Sequence, residues 1–292
     1  MFKTYSDFTK LGIVIFVLLS GVAGYAASYS SEVPFLWTHA LSFLAGLYFL
    51  SSGSLALNQV QEYKVDAKMP RTQKRPVASG KIKPAAALIF AICLLFLGCY
   101  FLYQTSWLAF VFGLVTLVFY NGLYVYWWKP RWVFAAIPGA IPGALPVTIG
   151  YVANSAQFLA FDSIYLFLIL FAWQMPHFWI LAIKYSKDYE QGGFPVLPSA
   201  IGINTALYHL GLWTFLYLGI AAAAPLFFPA NWFYLALVLP LCAKVFIEFW
   251  RFYKSGGKER WLSFFLWINV SVLIFQFIPV LDKWNFLLFE RG

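Results

Sequence analysis

Apolar runs close to 20 residues long recur along the chain, separated by short polar stretches. They predict helices near 11–30, 35–57, 84–103, 107–127, 132–153, 163–183, 205–227, 231–252 and 262–281. At about 1.5 Å per residue, runs of this length match the roughly 30 Å hydrocarbon layer of a bilayer. The pattern predicts an all-α membrane protein with nine spans in a single domain over 1–292. The small residues Ala26 and Ala27 also allow 11–30 to be read as a cleavable signal peptide, but the next run follows too soon to favour it.

Two breaks in the pattern are long and polar, at 58–83 and 184–204, each following a span four helices apart in order. Loops of that length on an apolar scaffold are where function concentrates. Their recurrence suggests a four-helix internal repeat.

Composition supports the membrane reading. Apolar residues make up 62% and charged residues 11% of the 292, with 22% aromatic, too apolar for one soluble core and too aromatic for disorder. Seventeen of the 20 Lys and Arg fall in the N-terminal segment and the even-numbered connections. This places those segments in the cytoplasm. The net charge of +9 therefore belongs to the membrane face and to an anionic substrate, and nucleic acid is not expected as a partner. The three cysteines lie in apolar runs without metal-ligand spacing.

In the first polar loop, Asn58, Glu62 and Asp66 are four residues apart and share one face if the helix continues. Three oxygen donors suit a hard cation such as Mg²⁺. Arg71, Lys74 and Arg75 follow and offer donors for phosphate oxygens. Carboxylates for a metal beside cations for phosphate fit a diphosphate substrate. The plainer alternative is a helix end entering water, with Glu62 and Asp66 in surface pairs with Lys64 and Lys68.

The second loop opens on Trp173-Gln174-Met175-Pro176-His177 inside a span, and Lys184 and Asp188 again stand four apart. Polar groups such as Gln174 and His177 are costly in lipid unless they meet a partner or cavity. Pro176 can kink the helix there. His177 reads as a structural histidine, a haem ligand, a proton donor or a substrate hydrogen bond. The three prolines of 138–146 predict an irregular span that borders a cavity. His39 and His209 carry no motif and read as structural.

The pieces N-x-x-x-E-x-x-x-D-A-x-M-x-R-T-x-x-R-P at 58–76, G-A-L-P at 143–146, W-Q-M-P-H-F-W-x-L-A-I-K-Y-x-x-D-Y at 173–189 and F-P-V-L-P at 194–198 resemble the UbiA-type intramembrane prenyltransferase superfamily, in its protohaem IX farnesyltransferase (haem O synthase) branch. The resemblance covers nearly the whole chain. It implies a bundle of nine transmembrane helices around a central cavity capped by two cytoplasmic polar loops. It also implies Mg²⁺-dependent transfer of a farnesyl group from farnesyl diphosphate to a vinyl group of haem B, giving haem O.

In that mapping Asn58, Glu62, Asp66 and Asp188 hold the metal, while Arg71, Lys74, Arg75 and Lys184 neutralise the diphosphate. His177, Gln174 and Tyr185 become substrate contacts. A bacterial plasma (inner) membrane, surrounding lipid and a downstream haem-modifying membrane enzyme complete the expectation. The chain departs from the superfamily in having Gln59 where Asp often follows Asn58, and Glu62 for a common Asp. Lys184-x-x-x-Asp188 replaces an aspartate-rich second motif, and the Trp127–Trp132 connection is short. The competing readings are a prenyltransferase of an aromatic quinone precursor, a membrane transporter and a haem chaperone.

Overall fold

The computed structural model describes residues 2–30, 32–228 and 232–289, and every regular element among them is helical. The order is α1 Phe2–Thr9, α2 Leu11–Ser28, α3 Trp37–Asp66, α4 Pro84–Thr105 and α5 Trp107–Leu117, which continues as a π-wound segment over Val118–Trp128. There follow α6 Ala136–Asn154, α7 Phe161–Lys184, α8 Ser186–Gln191, α9 Leu197–Ile201, α10 Ile203–Ala222, α11 Trp232–Lys254 and α12 Trp261–Phe289.

All nine predicted spans occur as helices. Eight of them, among the described residues, are long and apolar enough to cross a membrane. In α11 the charged residues Lys244, Glu248, Arg251 and Lys254 all lie in the C-terminal half. Two ends differ from expectation. Helix α3 runs nine residues past 57 to Asp66, so the motif stays helical. Helix α12 runs on to Phe289, so Lys283, expected beyond it, lies within it and pairs with Asp162 of α7 at 2.8 Å.

The chain divides into two compact units. Unit 1 comprises the residues up to Ala156 together with Lys187–Pro195; unit 2 comprises Gln157–Ser186 and the described residues from Val196 onward. In lipid, burying apolar surface drives little helix association, and close packing of small residues takes its place. Unit 1 shows this between α2 and α6. A Cβ on Gly24 would run into the Val147 carbonyl oxygen, and one on Gly150 into the Gly21 carbonyl oxygen. Helix α2 is thus an integral wall of unit 1. Phe43, Leu47, Leu50, Leu102 and Ile149 fill the core beside it.

The proline helix is regular where an irregular span was predicted. Pro142 and Pro146 sit inside a continuous α6, and Ala144 through Ala153 are buried. Each proline lacks the N–H that would reach the proline four residues back, yet the helix stays unbroken because α2 packs tightly along it.

In unit 2, hydroxyls tie the helices. Tyr165 of α7 meets the Tyr234 hydroxyl of α11 at 3.1 Å and donates to the Phe275 carbonyl of α12 at 3.0 Å. Tyr217 of α10 meets Ser271 of α12 at 2.8 Å. Such side chains satisfy in pairs what lipid cannot. Lys244 and Glu248 do the same at 2.6 Å, with Ser263 donating to Glu248 at 2.8 Å.

Candidate active site

The last three turns of α3 bring Asn58, Glu62 and Asp66 onto one face, with 3%, 6% and 1% of their surface exposed. Burial of this kind rules out the surface pairs with Lys64 and Lys68. Each acceptor instead meets a cation from a different part of unit 1. The Lys10 ammonium, at the junction of α1 and α2, donates to Asn58 Oδ1 at 3.0 Å. Lys129, just past the π segment, reaches Glu62 Oε1 at 2.5 Å. Arg75 Nη1 lies 2.7 and 2.8 Å from the two oxygens of Asp66. Burying carboxylates without such partners would cost several kcal/mol each, about 3–5 when one partner is removed.

Lys10 and Lys129 take no part in the motif as read from the sequence, where they served only to orient the chain. Their partners lie 48 and 67 residues away, beyond any spacing rule. Lys10 has φ 53°, a left-handed conformation rare for a residue with a Cβ. Burial beside the Arg75 guanidinium pulls its ammonium down to about 7.

Gln59 explains how that turn is held. It is 1% exposed, and its amide Nε2 donates to the carbonyls of Asp7 and Phe8, at 2.8 and 2.9 Å, closing the end of α1 just before Lys10. An aspartate there could only accept and would face two carbonyls, so the departure from the superfamily pattern has a physical reason. Gln59→Leu should destabilise the protein by about 1–3 kcal/mol through the two stranded carbonyls. Thermal unfolding in detergent reads this, and a melting curve matching the parent's would refute the anchoring role.

The segment 67–83 is a string of turns. Thr72, 1% exposed, donates its hydroxyl to the Asp66 carbonyl at 2.9 Å and satisfies the open end of α3. The backbone N–H of Arg71 donates to Asp188 Oδ2 at 3.2 Å, and its guanidinium lies 5.7 Å from the Tyr189 ring centroid. Asp188 is thereby fastened to the first polar loop. Arg71, Lys74, Arg75 and Lys10 also line a cavity of about 490 Å³ with Ser6, Asp7 and Pro76.

The π winding of Val118–Trp128 was invisible to hydropathy. Its buried Asn121 accepts from the Ser54 hydroxyl at 2.6 Å and donates to the Ser54 carbonyl and Gln61 Oε1, both at 3.0 Å. Gln61 in turn donates to the Asn121 carbonyl at 2.8 Å. The last π turn closes from Lys129 N to the Tyr124 carbonyl. This network ties the segment to α3 just before Lys129 departs toward Glu62. Long π runs are rare and mark functional regions.

Lys184 and Asp188 do not share a helical face. Helix α7 ends at Lys184, Tyr185 leaves helical geometry at φ −114°, ψ 29°, and α8 starts afresh at Ser186. Lys184 belongs to unit 2 and Asp188 to unit 1. The Lys184 ammonium lies 4.9 Å from the Trp261 ring centroid, and Tyr185 stands edge-on to the same ring. Gln174 is buried and donates to the Leu170 carbonyl of its own helix at 3.2 Å. Helix α7 passes through Pro176 without a break. His177 meets Asn269 of α12 at 2.9 Å.

These features define an all-α, multi-pass membrane protein in which each buried oxygen acceptor of one helix face is paired with a cation. The chain belongs to the UbiA prenyltransferase family, whose model matches residues 17–270. It is 56% identical, over the full length of both chains, to a protoheme IX farnesyltransferase of Bdellovibrio bacteriovorus. It superposes on a solved digeranylgeranylglyceryl phosphate synthase with a TM-score of 0.76 at 19% identity, covering 97% of this chain and 98% of that one. A UbiA homolog from Archaeoglobus fulgidus bound to GPP and Mg²⁺ matches at a TM-score of 0.66 and 16% identity, covering 95% and 99%.

Proposed function

We propose that this prenyltransferase moves a farnesyl group from farnesyl diphosphate to a vinyl group of haem B, releasing diphosphate and giving haem O. The observation that carries the reading is the pairing of Asn58, Glu62 and Asp66 with Lys10, Lys129 and Arg75. Arrival of a metal diphosphate would exchange partners: the oxygen ligands turn to the metal and the cations to the phosphates. The Glu62 and Asp66 carboxylates would then have a positive partner in either state. The full-length likeness to a protoheme IX farnesyltransferase supports haem B as the acceptor.

The donor set fits Mg²⁺. All four candidate ligands, Asn58, Glu62, Asp66 and Asp188, offer oxygen, the donor type of hard cations. Among the described residues no three His, Cys, Asp or Glu side chains converge to cage a metal. Mg²⁺ takes one or two carboxylates and completes its shell with substrate phosphates and water. When bound it would neutralise the leaving diphosphate as a Lewis acid.

Lys10, Arg71, Lys74, Arg75, Lys129 and Lys184 would add positive charge where the allylic C–O bond breaks. The vinyl π electrons then form the new C–C bond to the farnesyl cation. Water adds to the resulting benzylic-type carbon beside the porphyrin and loses a proton, leaving a hydroxyl. Gln174, His177 and Tyr185 are the proposed contacts to the acceptor. The family match runs through both units, which supports one catalytic domain over 1–292. The distribution of Lys and Arg supports nine crossings in a bacterial inner membrane with the N-terminus and both polar loops cytoplasmic. Haem O would pass to a further haem-modifying membrane enzyme.

The test is direct. Purified protein with haem B, farnesyl diphosphate and Mg²⁺ should yield haem O by mass, and chelation should stop the reaction until Mg²⁺ is restored. Product only with a phenolic or naphthoic acceptor would overturn the assignment of the acceptor.

A further inference from the structure

The His177 side chain is held from three sides within unit 2. Its ring centroid lies 4.6 Å from Trp173 of α7 and 5.1 Å from Phe265 of α12, and Nδ1 is 2.9 Å from Asn269 Oδ1. The orientation of the Asn269 amide is fixed by its own helix, because Nδ2 donates to the Phe265 carbonyl at 2.5 Å. The atom turned to His177 is therefore the amide oxygen, which can only accept. A ring nitrogen facing it must carry the proton. Neutral imidazole has one ring proton, so Nε2 keeps its lone pair.

The sequence motif carries no sign of Asn269, which lies 92 residues from His177. An imidazole whose far nitrogen is hydrogen-bonded to a fixed acceptor is the arrangement that orients and strengthens a metal ligand. Both ring nitrogens of His39 are engaged, with the Tyr25 hydroxyl at 2.9 Å and the Thr105 carbonyl at 3.2 Å. His209 is packed edge-on against Trp179.

We infer that His177 Nε2 ligates the iron of the haem substrate and that Asn269 is the positioning residue that fixes its tautomer, an assignment that rests on the proposed haem B acceptor. Ligation pins the macrocycle at its centre and leaves rotation about the iron–nitrogen axis to bring a vinyl group to the prenyl donor. The Trp173 and Phe265 rings pack against the imidazole at interplanar angles of 40° and 35° and hold it in place.

The full-length protein in detergent, loaded with haem B and reduced, should show an iron–histidine stretching band by resonance Raman that shifts on ¹⁵N-histidine labelling. His177→Gly should lose the band and regain it with free imidazole, whereas His39→Gln and His209→Gln should keep it. Asn269→Leu should weaken haem affinity by about 10- to 100-fold. Asn269→Asp, which still accepts from Nδ1, should restore affinity and move the haem midpoint potential to more negative values. A merely structural Asn269 would not move that potential.

The inference is overturned if the parent protein makes haem O without any ¹⁵N-sensitive band, or if His177→Gly keeps the band without imidazole; either result leaves the prenyl-transfer reading standing. A parent protein that neither binds haem B nor makes haem O would overturn both. Because the band and its isotope shift are read on the parent chain, the conclusion does not depend on any variant folding.

Discussion

Asp66→Asn is expected to lower the single-turnover rate of prenyl transfer by about 10²- to 10³-fold or more, the scale on which removing one electrostatic contributor to a transition state acts. Haem binding, followed by the Soret band, should stay within about twofold, since the His177 contacts come from α7 and α12. The substitution keeps shape and one acceptor oxygen, so Arg75 retains a hydrogen bond but loses its counter-charge.

Because Arg75 is itself 23% exposed, the stability cost should fall below the about 3–5 kcal/mol of a fully buried orphan. Arg75→Gln decides what the pair is for. If Asp66 and Arg75 only balance each other, the double variant should recover most of the activity. If each also serves the metal diphosphate, the double variant should be no better than Asp66→Asn. An unchanged turnover in Asp66→Asn would remove the metal argument altogether.

The largest effect on stability is expected at the α2–α6 contact. In Gly150→Ala the new methyl would enter the Gly21 carbonyl oxygen, and in Gly24→Ala the Val147 carbonyl oxygen. Both obstacles are backbone, so no rotamer change relieves them and the helices must part. Overpacking of this kind costs about 1–3 kcal/mol and occasionally more. The upper end is expected here because separation also loosens a helix whose prolines already forgo two intrahelical bonds. Gly150→Val should leave little monodisperse protein on size exclusion in mild detergent. Gly219→Ala in α10 is the control: nothing lies within 4 Å of its would-be Cβ. It should match or slightly exceed the parent's melting temperature, since Ala favours a helix over Gly by about 0.5–1 kcal/mol.

Hydropathy made the spans legible because lipid demands nearly uniform apolar runs, and that constraint survives any tertiary detail. The acceptor face of α3 was legible for a similar reason: a four-residue repeat keeps its meaning wherever a helix continues, as α3 does to Asp66. The same rule failed at Lys184 and Asp188, because it assumes the continuity that Tyr185 breaks. The π winding of Val118–Trp128 leaves composition unchanged, so no window of average hydropathy can detect it. Lys10 and Lys129 were placed on the correct basic segments, but their partners depend on chain crossings tens of residues apart. The proline helix misled because proline spacing reports which hydrogen bonds are missing and says nothing of the neighbour that closes over the gap.

The clasp between the Arg71 N–H and Asp188 has a consequence in time. Its two ends are 117 residues apart, and at about 5–20 residues per second a ribosome needs on the order of 6–23 s to make the second after the first. The Asp66–Arg75 and Glu62–Lys129 pairs span 9 and 67 residues and are available well before that. Unit 1 therefore receives its last segment only after α7, the first helix of unit 2, has left the ribosome. Order of synthesis and order of completion run in opposite directions here, so a nascent chain stalled before Lys187 would carry both buried ion pairs while lacking the residue that fastens the loop beside them.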